Sequence, residues 1–430
     1  MATVGSTRIL VRAHKDPFTV ADASTTLRRN LIGSNVGNLV FSQATFRLLS
    51  VPGTTIDASP LEPPAGGAGS ADQINETYDH VVIPLANAFR SSFVEQLSRL
   101  TELIERLTVP VTILGVGAQA RLSGAYGGAG KVDPLARRFV RAVLDRGPSI
   151  GVRGERTRDY LRGLGFGDSL VRVVGCPSMF TFGPDLPSLR PAGDITPGSR
   201  LALTISPYVA RMGPISLIVA ERYPRLVYLA QNRETLALLL TGRYPLPQPE
   251  AEQRSTGVPV SLRHPLVASG RTAICLDPAS WFAELATYDL CFGSRIHGAI
   301  AALLAGTPAV VLAHDARTLE LAEYHEIPFR AIPADPAQAD PARLAAESDW
   351  SDVHSGHPAR WETFAAYLAE HGLQHAYDAD RDRGAAFDAR LAGTDFPPPV
   401  RPLTGPTARP HYALRRLATL PGRARARLAR

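Results

Sequence analysis

Short apolar runs alternate with amphipathic segments along most of this 430-residue chain. Val109–Val116 is typical of a buried strand, whereas Ser91–Leu107 carries its apolar residues at the three- and four-residue spacing of a helix. The same alternation resumes at Leu201 and continues to His325. Repeated strand–helix units favour parallel sheets that are covered by helices on both faces. The sequence therefore predicts an α/β protein.

The strand–helix units fall into two blocks, and the length of the chain suits two domains better than one core. Residues 184–199 hold four prolines and two glycines, a composition typical of a domain boundary. We predict an N-terminal Rossmann-like domain over residues 1–185, a linker over 186–199, and a C-terminal Rossmann-like domain with terminal helices over 200–394. We expect the ligand site in the cleft between the two domains, where strand ends and helix starts meet.

The net charge of +6 originates at the C-terminal end of the chain. Residues 396–430 contain eight arginines and no carboxylate, so the rest of the chain is nearly neutral. This composition predicts a disordered, arginine- and proline-rich tail over residues 395–430. The tail could contact an anionic membrane or a lipid-linked substrate, although we favour a solvated tail. The body shows no basic stripe interleaved with aromatics, and we expect no nucleic-acid partner.

Composition also bears on compartment and on metals. No apolar run approaches the roughly 18 residues of a membrane span, and the first residues lack a secretion signal. We therefore predict a cytoplasmic protein, which would be membrane-associated only if its C-terminal tail contacts a membrane. Cys176, Cys275 and Cys291 lie far apart, each in or beside an apolar run, and we predict buried thiols. No HExxH, Walker, GxSxG or EF-hand pattern occurs, so we expect no metal and no cofactor.

The most informative segment is Asp289–Val311. An apolar strand ends at Gly293 and an alanine- and leucine-rich helix follows, so Arg295 and His297 lie at the strand–helix junction. The free N–H groups of a helix start and a guanidinium both favour an anion. A histidine is the side chain best suited to move protons near neutral pH. On spacing alone, a histidine bonded to a backbone carbonyl beside a surface arginine is an equally good explanation.

A second strand–helix junction lies at Ile150–Leu164. Arg153 ends its strand and is placed like a ligand residue. Arg156, Arg158 and Arg162 follow on the helix, where we expect them to be solvated or paired with neighbouring carboxylates.

Two glycine-containing segments are weaker candidates. Asn35, Gly37 and Asn38 belong to a loop that resembles an anion or sugar loop, although a plain turn explains it as well. Gly117 and Gln119 follow a strand, where glycine allows either a ligand or a packed helix to approach the backbone. We predict that all five residues contact the substrate.

Several of these segments together resemble the polysaccharide pyruvyl transferase family. SRIHGAIAALLAGTPAVVL, from Ser294, is similar to the family signature R-x-H-G-x-x-x-A-L-x-x-G-x-P. IGVRGERTRDYLRGLG, from Ile150, resembles the family's strand–turn–helix element. VVGCPSMF, from Val173, and NLIGSNVGNLVFSQA, from Asn30, resemble its V-x-D-P-A-F-like segment and its N-x-G-D loop. Only the R-x-H-G block is specific, but the order and spacing agree from about residue 30 to residue 335.

The resemblance implies a glycosyltransferase-B-like pair of Rossmann-type domains that face a cleft. It also implies phosphoenolpyruvate as the donor and a sugar diol, on a glycan or a lipid-linked precursor, as the acceptor. Arg153 and Arg295 would bind the donor's carboxylate and phosphate, and His297 would act as general acid. The alternatives are a nucleotide-sugar-dependent glycosyltransferase on the same scaffold and a non-catalytic relative that binds a glycan or a nucleotide.

The chain departs from the family at two acidic positions. Asn38 stands where the N-terminal loop usually has Asp, and Cys176 stands where Asp usually precedes the proline. These departures leave the base that would activate the acceptor unassigned. Asp277 and Asp315 are the remaining guesses for that base.

Overall fold

A computed structural model of the chain describes residues 6–62, 69–119, 132–245, 257–405 and 411–412. Every strand ladder within these residues is parallel. The strands are β1 (Thr7–Arg12), β2 (Thr54–Ser59), β3 (His80–Pro84), β4 (Asn87–Phe89), β5 (Val111–Leu114), β6 (Gly117–Ala118), β7 (Ile150–Val152), β8 (Val171–Val173), β9 (Leu201–Thr204), β10 (Val227–Leu229), β11 (Thr272–Ala273), β12 (Leu290–Gly293), β13 (Ala309–Ala313) and β14 (Phe329–Ala331).

The α-helices lie between and after these strands. They are α1 (Ala23–Arg29), α2 (Gly37–Leu49), α3 (Gly69–Thr77), α4 (Val94–Arg106), α5 (Val132–Leu144), α6 (Glu155–Gly163), α7 (Met212–Arg222), α8 (Arg233–Thr241), α9 (Pro265–Ala268), α10 (Pro278–Leu285), α11 (Ile296–Leu304), α12 (Ala316–Tyr324), α13 (Pro341–Ala346), α14 (Ser351–Ser355), α15 (His357–Glu370) and α16 (Ala385–Ala392). Several of them begin at an aspartate whose carboxylate accepts the N–H groups of the first turn, as at Asp22 and Asp315.

The second group of strands, β9 to β14, forms one six-stranded sheet, which we call the second lobe. Its order is β11-β10-β9-β12-β13-β14, so the chain direction across the sheet reverses between β9 and β12. This is the strand order of a Rossmann fold, in which ligands bind beyond the carboxyl ends of the strands at the reversal. All of β13 is buried, as expected for a strand covered on both faces.

The strands β1 to β8 form the first lobe. β2, β1, β3 and β5 form a four-stranded sheet in that order, which reverses between β1 and β3. β7 pairs with β8 and is joined to the end of β5 by a parallel bridge between Val116 and Val152. The chain is therefore an α/β protein with two Rossmann-like lobes, as the sequence predicts.

Contacts between the lobes include those of the loop before α2 and of α12. The loop before α2 reaches the second lobe, where the Val36 N–H donates to the carbonyl of Gln231 at 2.9 Å. Glu320 of α12 reaches the first lobe, where its buried carboxylate accepts hydrogen bonds from the Thr157 N–H at 2.5 Å and the Thr157 hydroxyl at 2.9 Å. These contacts bring the strand ends of both lobes to a common cleft.

Helices α15 and α16 pack on the first lobe. Trp361, Phe364 and Tyr367 of α15 share an apolar cluster with Ile9 and Val82 of the first sheet. The Tyr367 hydroxyl also donates to the Ile113 carbonyl at 2.8 Å. The boundaries 1–185, 186–199 and 200–394 remain a prediction, and the helical end of the last range lies against the first sheet.

The start of the C-terminal tail, for which the sequence predicts disorder from residue 395, contacts the second lobe. Val400 forms an antiparallel bridge with Ile274, and Arg401 pairs with Glu284 at 2.7 Å. The edge of the second sheet therefore supplies backbone partners to a segment whose composition suggested none. Residues 406–410 and 413–430 of the tail lie outside the described residues.

The three cysteines are buried thiols, as predicted. Within the described residues, no helix combines the length and the apolar character needed to cross a membrane.

Candidate active site

A cavity of about 570 Å³ lies between the lobes at the carboxyl ends of their strands. That volume falls within the range of small-molecule sites. Its described lining includes five arginines and two glutamates, so positive charge predominates: Arg12, Arg90, Arg153, Arg295, Arg317, Glu62 and Glu234. We call Arg90, Arg153, Arg295 and Arg317 the arginine cluster. The balance of charge suits a ligand that carries several negative charges.

The two central strands of the second lobe are held together at their carboxyl ends. The Ser206 N–H donates to the Ser294 hydroxyl at 2.9 Å, and the Ser206 hydroxyl donates to the Ser294 carbonyl at 3.3 Å. Gly293 adopts a φ of 140°, and a Cβ there would overlap the Thr204 carbonyl oxygen. A side chain is therefore excluded where β9 and β12 approach, and the next residues along the chain face the cavity.

Arg295 stands at the N-cap position of α11 and is half-buried. Its Nη2 donates to the Asn232 side-chain oxygen at 2.5 Å, and its Nε donates to the Ile205 carbonyl at 3.4 Å. Among the described residues, no group bonds Nη1. Asn232 and the Ile205 carbonyl thus fix the guanidinium, and its Nη1 remains available to a ligand in the cavity.

His297 follows in the first turn of α11 and lines the same cavity. Its Nε2 lies 3.7 Å from the Cys176 sulfur, and its ring centroid lies 5.7 Å from that of Phe41. Burial lowers the pKa of His297 to about 3, and the charges of Arg153, Arg317 and Arg295 contribute in the same direction. The imidazole is therefore neutral near pH 7 unless an anion offsets the surrounding arginines.

Arg153 is almost fully buried at the end of β7. Its Nε and Nη2 both donate to the Gly115 carbonyl at 3.3 Å, and no described residue bonds Nη1. Gly117 packs on this side chain, because a Cβ at that position would lie 2.5 Å from the Arg153 Nε. Gln119 lines the cavity and accepts a hydrogen bond from the Asn87 amide at 3.1 Å. The structure therefore assigns Gly117 to the support of Arg153.

The predicted anion or sugar loop lies beside His297. The Asn35 side-chain oxygen accepts from the Gly37 N–H at 2.7 Å, and the Asn38 amide donates to the Gly33 carbonyl at 2.6 Å. Asn35 and Asn38 line the cavity, so both can present a remaining amide atom to a ligand. A Cβ at Gly37 would lie 2.8 Å from the Cβ of His297, so Gly37 makes room for the histidine.

We expect Gly37→Ala to disturb His297, although alanine is the better helix former. The added methyl would displace the histidine or the start of α2, at a cost of ~1–3 kcal/mol in unfolding free energy. Gly163→Ala is the matched control, because Gly163 is also a helical residue and a Cβ there would meet no atom within 4 Å. The control should be neutral or stabilised by up to ~1 kcal/mol. Thermal unfolding measures the stability of both variants. Equal stability of Gly37→Ala and Gly163→Ala would contradict the expected contact between residue 37 and His297.

Arg90 and Arg317 complete the arginine cluster, and neither was predicted. Burial lowers the pKa of Arg90, and Arg317 lowers it further because the two cations lie near one another. Arg317 pairs with Asp315 at 3.1 Å. The Nε atoms of both arginines are buried without a hydrogen-bond partner among the described residues. Two desolvated guanidiniums on opposite lobes indicate a place for an anion.

Neither guess for the acceptor-activating base is supported by its position. Asp277 caps α10 by accepting the Ser280 N–H at 2.7 Å, and Asp315 caps α12 by accepting the Thr318 N–H at 2.9 Å. Neither aspartate is among the lining residues of the cavity. Both carboxylates therefore act in helix capping, which explains their positions after strands without a catalytic role.

The other arginines of α6 are paired. Arg158 pairs with Glu155, and Arg162 pairs with Asp168 at 2.6 Å, both within the first lobe. Arg156 instead reaches Glu323 of the second lobe at 3.1 Å. Within the described ranges, no group of three or more His, Cys, Asp or Glu side chains is arranged to hold a metal ion.

Fold and site together define a two-lobed α/β protein with an arginine-lined cleft and a histidine inside it. The polysaccharide pyruvyl transferase family matches residues 35–316, which include Arg153, Arg295 and His297. Because the match covers more than half of the chain, this protein belongs to the polysaccharide pyruvyl transferase family. The family is one of transferases that modify polysaccharides. Comparison with curated proteins gives no match.

Solved structures of similar architecture include UDP-N-acetylglucosamine 2-epimerases. The enzyme from Rickettsia bellii has 10% sequence identity and a TM-score of 0.45, over 86% of this chain and 96% of the epimerase. That from Methanocaldococcus jannaschii, in complex with UDP-GlcNAc and UDP, has 10% identity and a TM-score of 0.45, over 84% and 99%. Anabaena Alr3699/HepE, in complex with UDP and glucose, has 11% identity and a TM-score of 0.42, over 90% and 99%. Likenesses at this level carry no functional argument.

Proposed function

We propose that this protein transfers the pyruvyl group of phosphoenolpyruvate to two hydroxyls of a sugar as a ketal. The observation that carries the proposal is the position of His297 within the arginine cluster. A proton-transfer group surrounded by cations suits a small substrate that is both highly anionic and activated by protonation. Family membership supports the same reaction class.

The donor would lie between Arg153 of the first lobe and Arg295 of the second. Each guanidinium keeps Nη1 free of described partners, which suits one arginine to the carboxylate and the other to the phosphate. His297 would protonate the methylene carbon of the donor. Carbon 2 then becomes electrophilic enough for a sugar hydroxyl to attack, phosphate leaves, and the neighbouring hydroxyl closes the ketal.

The acceptor would occupy the part of the cavity that the first lobe lines. Arg12 ends β1, where the first sheet reverses, and it shares a side groove with Glu62, Phe93 and Gln96. A carboxylate, an amide and an aromatic ring are groups that bind sugar hydroxyls and sugar faces. The acceptor is therefore a glycan or a lipid-linked sugar in this proposal, with its diol near His297.

The second candidate function is transfer from a nucleotide sugar. The reversal between β9 and β12 favours it, because Rossmann-like folds commonly bind nucleotides at that point. A diphosphate would also suit the arginine cluster. A relative that binds a glycan or nucleotide without turnover is the third.

Calorimetry separates the candidates. We expect phosphoenolpyruvate to bind the unmodified protein with a Kd between about 1 μM and 1 mM, and UDP and GDP to show no binding in the same range. Binding of a nucleotide without binding of phosphoenolpyruvate would instead support the glycosyltransferase. If no ligand binds, the titration is repeated with sugar diols present, because donor binding can require the acceptor. If phosphoenolpyruvate and the nucleotides still do not bind, the result counts against both the pyruvyl transferase and the glycosyltransferase.

A further inference from the structure

The proposed reaction needs a group that accepts the proton of the attacking hydroxyl, and the expected carboxylates do not supply it. Asn38 and Cys176 replace two acids of the family pattern, and Asp277 and Asp315 cap helices. Glu62 and Glu234 also line the cavity, but Glu62 lies beside Arg12 and His14, and among the described residues neither glutamate pairs with the arginine cluster that surrounds His297. The other polar groups of the cavity near His297 remain as candidates for the base.

Tyr208 lies on the same wall of the cavity as Arg295 and His297. It follows β9 at the reversal of the second sheet, and 39% of its surface is exposed, so its ring is accessible from the cavity. Arg317 Nη2 donates to the phenol oxygen at 2.9 Å, and the Arg295 guanidinium lies 5.6 Å from the ring centroid. Arg317 also lies close enough to His297 to lower its pKa. The phenol oxygen and the imidazole thus share a neighbouring guanidinium.

The charges around Tyr208 favour loss of its proton. Cations face it from two elements, Arg295 at the start of α11 and Arg317 on α12, and Arg90 approaches from the first lobe. The His314 ring lies edge-on at 5.7 Å, and the Asp315 carboxylate, which pairs with Arg317 at 3.1 Å, offsets part of the charge of that guanidinium. Burial alone would raise the pKa of Tyr208, but Arg317 and Arg295 outweigh it and lower the pKa to about 8.

We propose that Tyr208 is the catalytic base that removes the proton of the attacking acceptor hydroxyl. This inference rests on the proposed function. A phenol that already accepts a hydrogen bond from a guanidinium can hold negative charge there, and it is exposed to the cavity in which the hydroxyl must lie. A neighbouring carboxylate is then unnecessary, which accounts for a site without the two usual acids.

The protons balance over the whole reaction. His297, protonated in the donor complex, gives its proton to the methylene carbon, while the Tyr208 phenolate takes the proton of the first hydroxyl as its oxygen bonds to carbon 2. The carbon–oxygen bond to phosphate then breaks, and the Tyr208 phenol returns its proton to the departing phosphate. The second hydroxyl bonds to carbon 2 and gives its proton to His297. Both side chains end in their starting states, and the products are the ketal and inorganic phosphate.

The first test needs no acceptor. Ultraviolet absorbance of tyrosinate is followed against pH in the unmodified protein, in Tyr208→Phe and in Tyr78→Phe as a matched control. Burial and the hydrogen bond that its phenol donates to Asp57 raise the pKa of Tyr78. The pKa is also raised for most of the other described tyrosines whose pKa is shifted. We expect a phenolate that forms near pH 8 and disappears only in Tyr208→Phe. If Tyr208→Phe leaves that titration unchanged, the inference is wrong.

The second test measures turnover. Phosphate release from phosphoenolpyruvate is measured with 4-nitrophenyl glycosides of galactose, glucose and mannose, and the donor Kd is measured by calorimetry. We expect Tyr208→Phe to lower kcat by about 10²–10⁴-fold, to leave the donor Kd within about threefold, and to abolish the rise of kcat with pH toward pH 8. A sugar-stacking role would keep the rate, because phenylalanine retains the ring. The inference is overturned if Tyr208→Phe keeps the kcat of the unmodified protein. It is also overturned if Glu62→Gln or Glu234→Gln, and not Tyr208→Phe, lowers kcat.

Failure of the inference is distinguishable from failure of the proposed function. If the unmodified protein does not bind phosphoenolpyruvate, the proposed function is wrong, and with it the assignment of Tyr208 as base. If it binds and turns over the donor while Tyr208→Phe remains active, only the assignment of Tyr208 is wrong.

Discussion

Replacement of His297 by glutamine should lower phosphate release from phosphoenolpyruvate by about 10²–10⁴-fold and leave the donor bound. Glutamine keeps a polar side chain of similar length but cannot transfer a proton at neutral pH. Because Arg153, Arg295 and Arg317 remain in place, we expect the donor Kd to change by less than about tenfold. Phosphate release with the 4-nitrophenyl glycosides measures the rate, and calorimetry of phosphoenolpyruvate binding measures the donor Kd.

The pKa of His297 provides a second readout that does not depend on an acceptor. In the free protein burial and three arginines hold the pKa at about 3, so the imidazole carries no proton near pH 7. An anionic donor offsets the arginines and raises that pKa, so binding should take up a proton. Calorimetry of donor binding in two buffers of different protonation enthalpy gives the number of protons. We expect the unmodified protein to take up more protons than His297→Gln, and equal uptake would contradict the acid role.

Cys176→Asp is the matched variant for this readout. The cysteine sulfur lies 3.7 Å from the His297 Nε2, where a carboxylate would stabilise the imidazolium. We expect the histidine of this variant to be partly protonated before the donor arrives, so proton uptake on binding should fall relative to the unmodified protein. Thermal unfolding checks that the buried carboxylate has not destabilised the fold.

Arg295→Ala should weaken the binding of phosphoenolpyruvate by ~2–4 kcal/mol, or roughly 30- to 1000-fold in Kd. The substitution removes a guanidinium that Asn232 and the Ile205 carbonyl hold in place at the cavity wall. Arg295→Lys should recover only part of the affinity, because an ammonium cannot bind an oxyanion through two parallel N–H groups. Calorimetry of the donor is the measurement.

The control for Arg295 is Arg343→Ala, which removes a surface arginine of α13 that pairs with Glu347. We expect its donor Kd to equal that of the unmodified protein, since surface pairs contribute little. A donor Kd within threefold in Arg295→Ala would remove Arg295 from the site. The same loss in both variants would indicate a general effect of net charge.

Much of the architecture could be read from local pattern. The alternation of apolar strands and amphipathic helices predicted parallel sheets, because a strand covered on both faces must be apolar along its whole length. Arg153, Arg295 and His297 were recognisable as strand-end residues, and the structure brings all three to one cavity. Asn35, Asn38 and Gln119 also line it, whereas Gly37 and Gly117 pack against His297 and Arg153.

Other site residues carry no distinctive sequence signal. Arg90, Tyr208 and Arg317 each follow a strand, so the rule that ligands bind at strand ends could have marked them. Arginine and tyrosine are nevertheless common in surface turns, and only the strand order shows which turns meet at the reversal. Asp277 and Asp315 satisfied the same rule and proved to be helix caps. Their position after a strand did not distinguish catalysis from capping.

What the sequence by itself determined is local: the α/β class, the strand–helix junctions and the motif that carries Arg295 and His297. What only the tertiary structure decided is non-local, because it depends on which distant segments pack together. Cys176 meets His297 across 121 residues of chain, and Val400 joins the sheet edge at Ile274. The pKa of His297 follows from the same cause, since the arginines that lower it come from different strand ends of both lobes. Periodicity reports which face of an element is buried, whereas the charge at a site depends on what is buried beside it.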